Sequence, residues 1–182
     1  MRRREFLGKT LAGTAGIALG TSGMLKSCKG ASDKVVLALI GAGSRGRDTI
    51  ISCCRQDQNV EIKTVCDVND LNSSATVEAI EKEFGYKPGT TRYMREVLDD
   101  RDVDAVWIST PDHWHALATI WACQAGKDVY VEKSPSHSIW EGRKMTEAAR
   151  KYRRIVQVGF QNRSGPYNFE ARDYIQSGKL GQ

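Results

Sequence analysis

The sequence predicts an α/β fold in which a mostly parallel sheet carries helices on both faces. From residue 34 onwards, short apolar runs alternate with amphipathic stretches of about 10–15 residues, the pattern of consecutive β-α-β units. Glycines follow two of these stretches, at Gly126 and Gly178, and glycine commonly ends a helix. A chain of 182 residues is long enough for one such domain with a buried core.

Six short segments are predicted as strands. Five are apolar, and continuous apolar runs suit parallel strands that are buried on both faces. The remaining one follows a loop at 86–91 that contains the turn-forming pair Pro88-Gly89. In chain order the strands are 34–40, 60–66, a short strand around Arg92 and Tyr93, 104–109, 128–131 and 155–158.

The segments that follow the strands carry apolar residues at helical spacing. One helix is predicted to follow Gly46 and to end near Arg55, and we expect Cys53 and Cys54 to be buried in it. The others are 69–84, 94–98, 113–125, 139–152 and about 167–177. Parallel sheets bind ligands at the carboxyl ends of their strands, so functional residues are expected just after each strand.

The net charge of +5 comes mainly from the start of the chain. The first 33 residues hold six basic and two acidic residues, which leaves 21 basic and 20 acidic residues in the rest. No basic stripe with interleaved aromatic residues is visible, so nucleic acid is not an expected partner.

Residues 1–33 are predicted to be an export signal and linker. MRRREFLGKTLAGTAGIALGTSGML has a cationic start and a weakly apolar run rich in Gly, Ala and Thr, too short to span a bilayer comfortably. RREFLGK at 3–9 resembles the twin-arginine signal, which exports folded proteins. We therefore expect the twin-arginine (Tat) machinery as a partner and a periplasmic location. The alternative is an accidental basic amphipathic terminus.

Lipid anchoring stays open. LKSC at 25–28 resembles a lipoprotein cleavage box that would place a lipid on Cys28, but Lys26 fits such a box poorly.

The other cysteines form no C-x-x-C pair, and the three histidines show no zinc spacing. We therefore expect neither a metal site nor a disulfide framework, as suits a chain that folds in a reducing cytosol before export.

The segment VVLALIGAGSRGRD at 35–48 contains G-x-G-x-x-G after a predicted strand and before a predicted helix. An acidic residue, Asp67, follows Gly46 by 21 residues and comes directly after the second strand. These are the three conditions for a dinucleotide-binding loop. Gly41 allows the tight turn, Gly43 lets the backbone approach the pyrophosphate, and Gly46 lets the helix pack closely on the strand. This predicts a doubly wound sheet of the Rossmann type.

The cofactor expected in that loop is NAD. The helix that starts near Ser44 and Arg45 offers free N–H groups to phosphates, and Asp67 would accept hydrogen bonds from the adenosine ribose and repel a 2′-phosphate. NADP is less favoured, although Arg45 or Arg47 would soften the preference. The alternative is a structural glycine turn in a flavodoxin-like or methyltransferase-like sheet.

Three further blocks follow later strands: STPDHWHA, AGKDVYVEK and VQVGFQNRS. In order and spacing they resemble the Gfo/Idh/MocA family of nicotinamide-dependent sugar oxidoreductases, and the resemblance covers about residues 35–182. It implies hydride transfer at a hydroxyl-bearing carbon of a sugar or inositol. It also implies a C-terminal α+β substrate domain, and we expect that this chain is truncated before it.

The resemblance implies roles for individual residues. Thr110, Pro111 and His115 would lie beside the nicotinamide ribose and ring, and Glu132 would touch the cofactor. Lys133 would be catalytic, because an ammonium can polarise the oxygen whose carbon exchanges a hydride; the alternative is a solvated lysine. All predicted or implied cofactor-binding residues are Gly41, Gly43, Ser44, Arg45, Gly46, Asp67, Ser109, Thr110, Pro111, His115, Glu132, Lys133 and Gln161.

Other polar and aromatic residues of these blocks have no such support. His113 and His137 are expected to be surface or capping groups, and Trp107 and Trp114 to serve packing. The family pattern has proline directly after the lysine, whereas Ser134 stands there in this chain. The sequence therefore fixes the direction of the Lys133 side chain less well than it fixes the cofactor site.

These features together predict the N-terminal part of an exported enzyme that acts on a small carbohydrate. Because the periplasm has no pool of free NAD, a cofactor carried out with the folded protein must be regenerated in place, which favours redox-neutral chemistry. One alternative is an NAD-dependent glycosidase that oxidises its substrate transiently. Others are a non-catalytic nucleotide-binding fragment and an unstable remnant. We expect the chain to be truncated and inactive alone, and any homo-oligomer to form through the missing domain.

Overall fold

The computed structural model describes residues 34–179 and Gly181, so the predicted export signal and Cys28 lie outside the described residues. The described part forms a Rossmann-like α/β fold with one six-stranded sheet in the order β3-β2-β1-β4-β5-β6. All neighbouring strands pair in parallel. The predicted fold class is thus confirmed.

The strands and helices alternate along the chain, as predicted. The strands are β1 (Val35–Ile40), β2 (Val60–Cys66), β3 (Gly89–Thr91), β4 (Ala105–Ile108), β5 (Asp128–Glu132) and β6 (Val156–Gly159). The helices are α1 (Ser44–Cys54), α2 (Asp70–Phe84), α3 (Met94–Asp99), α4 (Asp112–Gln124), α5 (Ile139–Tyr152) and α6 (Pro166–Gln176). None of the helices in this described part is long and apolar enough to cross a membrane.

Two of the observed elements differ from the predicted ones. The third strand is Gly89–Thr91 rather than a strand around Arg92 and Tyr93, because Thr64–Cys66 pairs with these three residues. Tyr93 instead precedes α3, and its N–H donates to the Thr91 hydroxyl at 3.1 Å. A short 3-10 helix at Gln161–Ser164 was not predicted.

The core has two layers, one on each face of the sheet. On β1, Ala38 and Ile40 face the layer that includes side chains from α3, α4 and α5, while Leu39 faces the layer that includes α1 and α2. This division follows from the two-residue period of a strand. In α1, Cys54 is buried as expected, but Cys53 is exposed.

Local sequence signals fix several helix ends. Ser138 and Glu141 form a reciprocal capping box at the start of α5. At the end of α2, Gly85 adopts a left-handed φ of 76°, which favours glycine. By contrast, α6 buries none of its side chains within the described part of the chain.

Candidate functional site: a two-cavity cleft at the carboxyl edge of the sheet

The glycine loop between β1 and α1 packs directly against the end of β4. Gly41 has a φ of +93°, and a Cβ there would lie 2.6 Å from backbone atoms of Ser109 and Thr110. A Cβ on Gly46 would overlap the carbonyl oxygen of Gly41. A Cβ on Gly43 would meet nothing within 4 Å, so only this glycine faces open space. The loop therefore has the close turn and the exposed backbone that a pyrophosphate needs.

A cavity of about 500 Å³ lies on the β2 side of the glycine loop. Asp67, Pro111 and Trp114 are among its lining residues. The two carboxylate oxygens of Asp67 accept hydrogen bonds from the N–H groups of Ala42 at 2.7 Å and Asn69 at 2.9 Å. The carboxylate is thus tied to the glycine loop at the position where a dinucleotide-binding fold contacts the adenosine ribose. We call this space the adenosine-side cavity.

A second cavity of about 730 Å³ lies on the other side of the loop, towards β5 and β6. Its walls include Arg45, Lys133 and Gln161. Ser109 and Thr110 line both cavities, and their buried hydroxyl oxygens have no hydrogen-bond partner among the described residues. We call this space the nicotinamide-side cavity, because a dinucleotide crosses the crevice from one half of the sheet to the other.

The two cavities together fit an extended, polar dinucleotide. The glycine loop separates them, the helix N-terminus of α1 begins there, and the unpartnered hydroxyls lie where they meet. A helix N-terminus offers free N–H groups to phosphate, and buried hydroxyls without a partner are costly unless a ligand or water satisfies them. The site thus fits the cofactor that the sequence pattern predicts.

Glu132 is the most heavily bonded side chain of the nicotinamide-side cavity. It is only 3% exposed, and its oxygens lie 3.2 and 3.3 Å from Nη2 of Arg45. Gln161 donates to it at 2.9 Å, and the Tyr130 hydroxyl and the Lys133 N–H donate at 3.3 Å each. Burial of a carboxyl group is costly unless donors such as these surround it.

Lys133 lines the same cavity with an exposed side chain. In the part of the chain that the structure describes, no ion pair engages its ammonium group. The ammonium is therefore available to a ligand oxygen in the cavity. The peptide bond that follows this residue, Lys133–Ser134, is cis.

The model of an oxidoreductase family with an NAD-binding Rossmann fold matches residues 35–160. The chain belongs to the Gfo/Idh/MocA family. It is 35% identical over 153 residues to an α-N-acetylgalactosaminidase from Shewanella oneidensis, covering 72% of this chain and 33% of that protein. It is 32% identical over 148 residues to an inositol 2-dehydrogenase from Klebsiella pneumoniae, covering 80% and 42%.

Solved structures share the fold. One is the WlbA dehydrogenase from Chromobacterium violaceum, in complex with NADH and UDP-GlcNAcA, with a TM-score of 0.68 and 24% identity. The match covers 83% of this chain and 42% of that one. The chain thus spans less than half the length of these relatives.

Within this Gfo/Idh/MocA domain, most of the predicted cofactor residues meet at one edge of the sheet. Pro111 lines the adenosine-side cavity, whereas the family resemblance implies a place beside the nicotinamide. Ser44 lines neither cavity and begins α1.

His115 lies behind the cavity walls rather than on them. It is 1% exposed, and its ring nitrogens lie 2.6 Å from the carbonyl oxygen of Ser134 and 2.7 Å from that of Thr110. Both nitrogens are thus engaged by the backbone. His115 connects the loop after β4 to the loop after β5, and neither nitrogen is left for a ligand.

The positions of His113, His137 and Trp107 agree with the predictions, whereas the position of Trp114 does not. His113 is exposed, and the His137 N–H donates to Glu141 at the start of α5. Trp107 is buried and stacks on Tyr130 with ring centroids 3.7 Å apart. Trp114, expected to serve packing, instead lines the adenosine-side cavity and is 42% exposed.

Sequence reasoning did not single out several residues of the nicotinamide-side cavity. Among them are Thr49, Gly159, Asn162 and Arg163. Asn162 and Arg163 belong to the block VQVGFQNRS, so their position just after a strand was the available signal. In the described residues, no group of three or more His, Cys, Asp or Glu side chains is placed to hold a metal ion.

Proposed function

We propose that this chain is the NAD-binding part of an exported, sugar-transforming oxidoreductase that retains its cofactor. The observation that carries the proposal is the pair of cavities on either side of the glycine loop, with the free ammonium of Lys133 on the wall of one of them. A bound nicotinamide supplies the hydride acceptor and donor. The residues of the chain hold the two halves of the cofactor and present a charged donor beside the nicotinamide half.

Each side chain has a defined task in this proposal. Asp67 holds the adenosine ribose and favours NAD over NADP, because its charge repels a 2′-phosphate. The N–H groups at the start of α1 hold the pyrophosphate, and Arg45 pairs with Glu132 on the nicotinamide side. Lys133 donates a hydrogen bond to the sugar oxygen and stabilises negative charge that develops there.

The names of relatives support a carbohydrate or cyclitol substrate. Besides the inositol 2-dehydrogenase, they include a levoglucosan dehydrogenase that is 31% identical over 115 residues. The α-N-acetylgalactosaminidase supports a second candidate, glycoside cleavage through transient oxidation. Retention of the cofactor suits both, because an enzyme exported by a route for folded proteins would carry its NAD into a compartment without a free pool.

The first test is the nucleotide content of the purified chain. We expect mass spectrometry of the denatured protein to recover NAD near one molecule per chain. A Gly43→Leu variant should lose the cofactor, because its side chain would fill the open space beside the loop. The φ of −61° at Gly43 suits any residue, so folding should be unaffected.

Gly89→Leu is the control, since a Cβ there meets only the Lys63 carbonyl oxygen at 3.7 Å. It should retain NAD and a similar melting temperature. A wild-type chain that neither carries NAD nor binds added NAD would overturn the proposal, as would a Gly43→Leu variant that binds NAD unchanged.

A further inference from the structure

Tyr130 lies on β5 two residues before Glu132, so the two side chains project to the same side of the sheet. It does not line the nicotinamide-side cavity. Its half-buried ring stacks on the indole of Trp107, with an interplanar angle of 23° and a centroid distance of 3.7 Å. The stacking holds the phenol in one orientation.

The Tyr130 hydroxyl bonds to two residues of the cofactor site at once. It accepts a hydrogen bond from Nε2 of Gln161 at 2.6 Å and donates to Oε1 of Glu132 at 3.3 Å. Gln161 donates to the same Glu132 oxygen at 2.9 Å. The two hydrogens of one amide nitrogen thus serve the phenol and the carboxylate, and the three groups form a closed triangle.

The phenol keeps its proton in this triangle. Burial raises the pKa of Tyr130 to about 12, and the charge of Glu132 and the hydrogen bond to it add to the increase. At neutral pH the hydroxyl is therefore a donor to the carboxylate.

Gly159, at the end of β6, leaves the space that the hydroxyl occupies. Gly159 pairs with Glu132 in the sheet register, and a Cβ there would overlap the Tyr130 hydroxyl and lie 3.0 Å from Nε2 of Gln161. The φ of Gly159 lies outside the left-handed region that restricts other residues. The space for Tyr130, rather than the backbone conformation, thus requires glycine at this position.

We infer that Tyr130 is a positioning residue of the cofactor site. Its hydroxyl, which occupies the space left by Gly159, holds Glu132 and Gln161 at the nicotinamide end of the site. The inference rests on the proposed function, because it concerns the same NAD site. Without the hydroxyl, Glu132 loses one of its donors and Gln161 loses an acceptor. Glu132 keeps its contacts with Arg45 and the Lys133 N–H, but Gln161 keeps only its hydrogen bond to Glu132, so the nicotinamide end is less firmly held. The adenosine-side cavity stays unchanged.

The test compares Tyr130→Phe with the wild-type 182-residue chain, using calorimetric titration with NAD and, separately, with ADP. ADP carries the adenosine and pyrophosphate groups and lacks the nicotinamide ribose and ring. We expect the Kd for NAD to rise about fivefold to tenfold, as for loss of a hydrogen bond that orients a charged group. The Kd for ADP should change by less than about twofold.

Tyr86→Phe is the matched control. Its hydroxyl is also half-buried and packs against the same apolar layer, and it accepts a hydrogen bond from the Ile62 N–H at 2.8 Å. Removing it leaves that N–H without its partner, so the melting temperature should fall while both Kd values stay within about twofold. Gly159→Ala, which crowds the Tyr130 hydroxyl, should show the same NAD-selective loss as Tyr130→Phe.

Three results would overturn the inference. One is an unchanged Kd for NAD in Tyr130→Phe, and a second is an equal loss of affinity for NAD and ADP, which would indicate a general structural defect. Neither of these affects the proposed function. A wild-type chain that binds neither NAD nor ADP would remove the proposed function and the inference together.

Discussion

At the scale of single residues, the site depends on side chains whose polar atoms are held by the backbone. Asp67 has both oxygens bonded to N–H groups of the chain. His115 has both ring nitrogens at carbonyl oxygens. Such side chains are oriented before a ligand arrives, so little ordering is left for the binding step.

Asp67 leads to a prediction about cofactor choice. In an Asp67→Asn variant, the neutral amide no longer repels a 2′-phosphate and no longer offers two acceptor oxygens. We expect the Kd for NAD to rise about tenfold and the preference for NAD over NADP to shrink by at least that factor. Titration with each nucleotide measures both changes.

Asp57→Asn provides the control for that change. The Asp57 carboxylate accepts a hydrogen bond from the N–H of Asn59 at 2.9 Å, just as Asp67 accepts one from the N–H of Asn69 at 2.9 Å. Unlike Asp67, however, Asp57 lines neither cavity. Its variant should bind both nucleotides as the wild type does. An Asp67→Asn variant with unaltered preference would show that another group selects the cofactor.

At the scale of elements, the loops at the amino edge of the sheet also depend on a buried polar group. Lys127 precedes β5 and is 6% exposed. Its ammonium donates to the carbonyl oxygens of Asp100 at 2.5 Å and Val103 at 2.7 Å. These carbonyls belong to the connection between α3 and β4. Burial lowers the pKa of Lys127, against the opposing effect of nearby aspartates.

A Lys127→Met variant should lower the free energy of unfolding by about 2–4 kcal/mol, because two carbonyl oxygens lose their donor in a buried place. Chemical denaturation followed by circular dichroism measures the change. Lys82→Met, in the exposed last turn of α2, should change the stability by less than about 0.5 kcal/mol. Equal effects of the two substitutions would refute the structural role of Lys127.

At the scale of the whole molecule, the two cavities and the proposed export of the folded protein together lead to a prediction about turnover. In the native protein, a retained cofactor must return to its starting state within each cycle. We expect sugar conversion or glycoside cleavage without accumulation of reduced nicotinamide. Absorbance of the reduced cofactor, followed alongside chromatography of the products, measures this.

The probes for that assay are myo-inositol, glucose and p-nitrophenyl α-N-acetylgalactosaminide. Release of p-nitrophenol with no net reduction of the cofactor would favour the glycosidase candidate. Product formation without net reduction from the free sugars would favour a redox-neutral oxidoreductase. Reduction of added NAD over many turnovers would contradict retention and indicate an ordinary dehydrogenase.

The sequence by itself determined the class of fold and the position of the cofactor loop. Apolar runs, helical spacing and the three glycines are local signals, so they indicate strands, helices and a tight turn without knowledge of what packs nearby. The same locality explains the misplaced third strand. Gly89–Thr91 has little apolar character, and only its pairing with β2 makes it a strand.

The tertiary structure decided which side chains share a cavity and which lie behind it. Gln161 and Glu132 are separated by 29 positions. The register of β6 on β5 brings both within hydrogen-bonding distance of the Tyr130 hydroxyl. Trp114 and His115 are neighbours in one motif, yet Trp114 lines a cavity and His115 is buried. The direction of a side chain at the start of a helix depends on how that helix packs on the sheet, and a one-dimensional pattern does not contain that information.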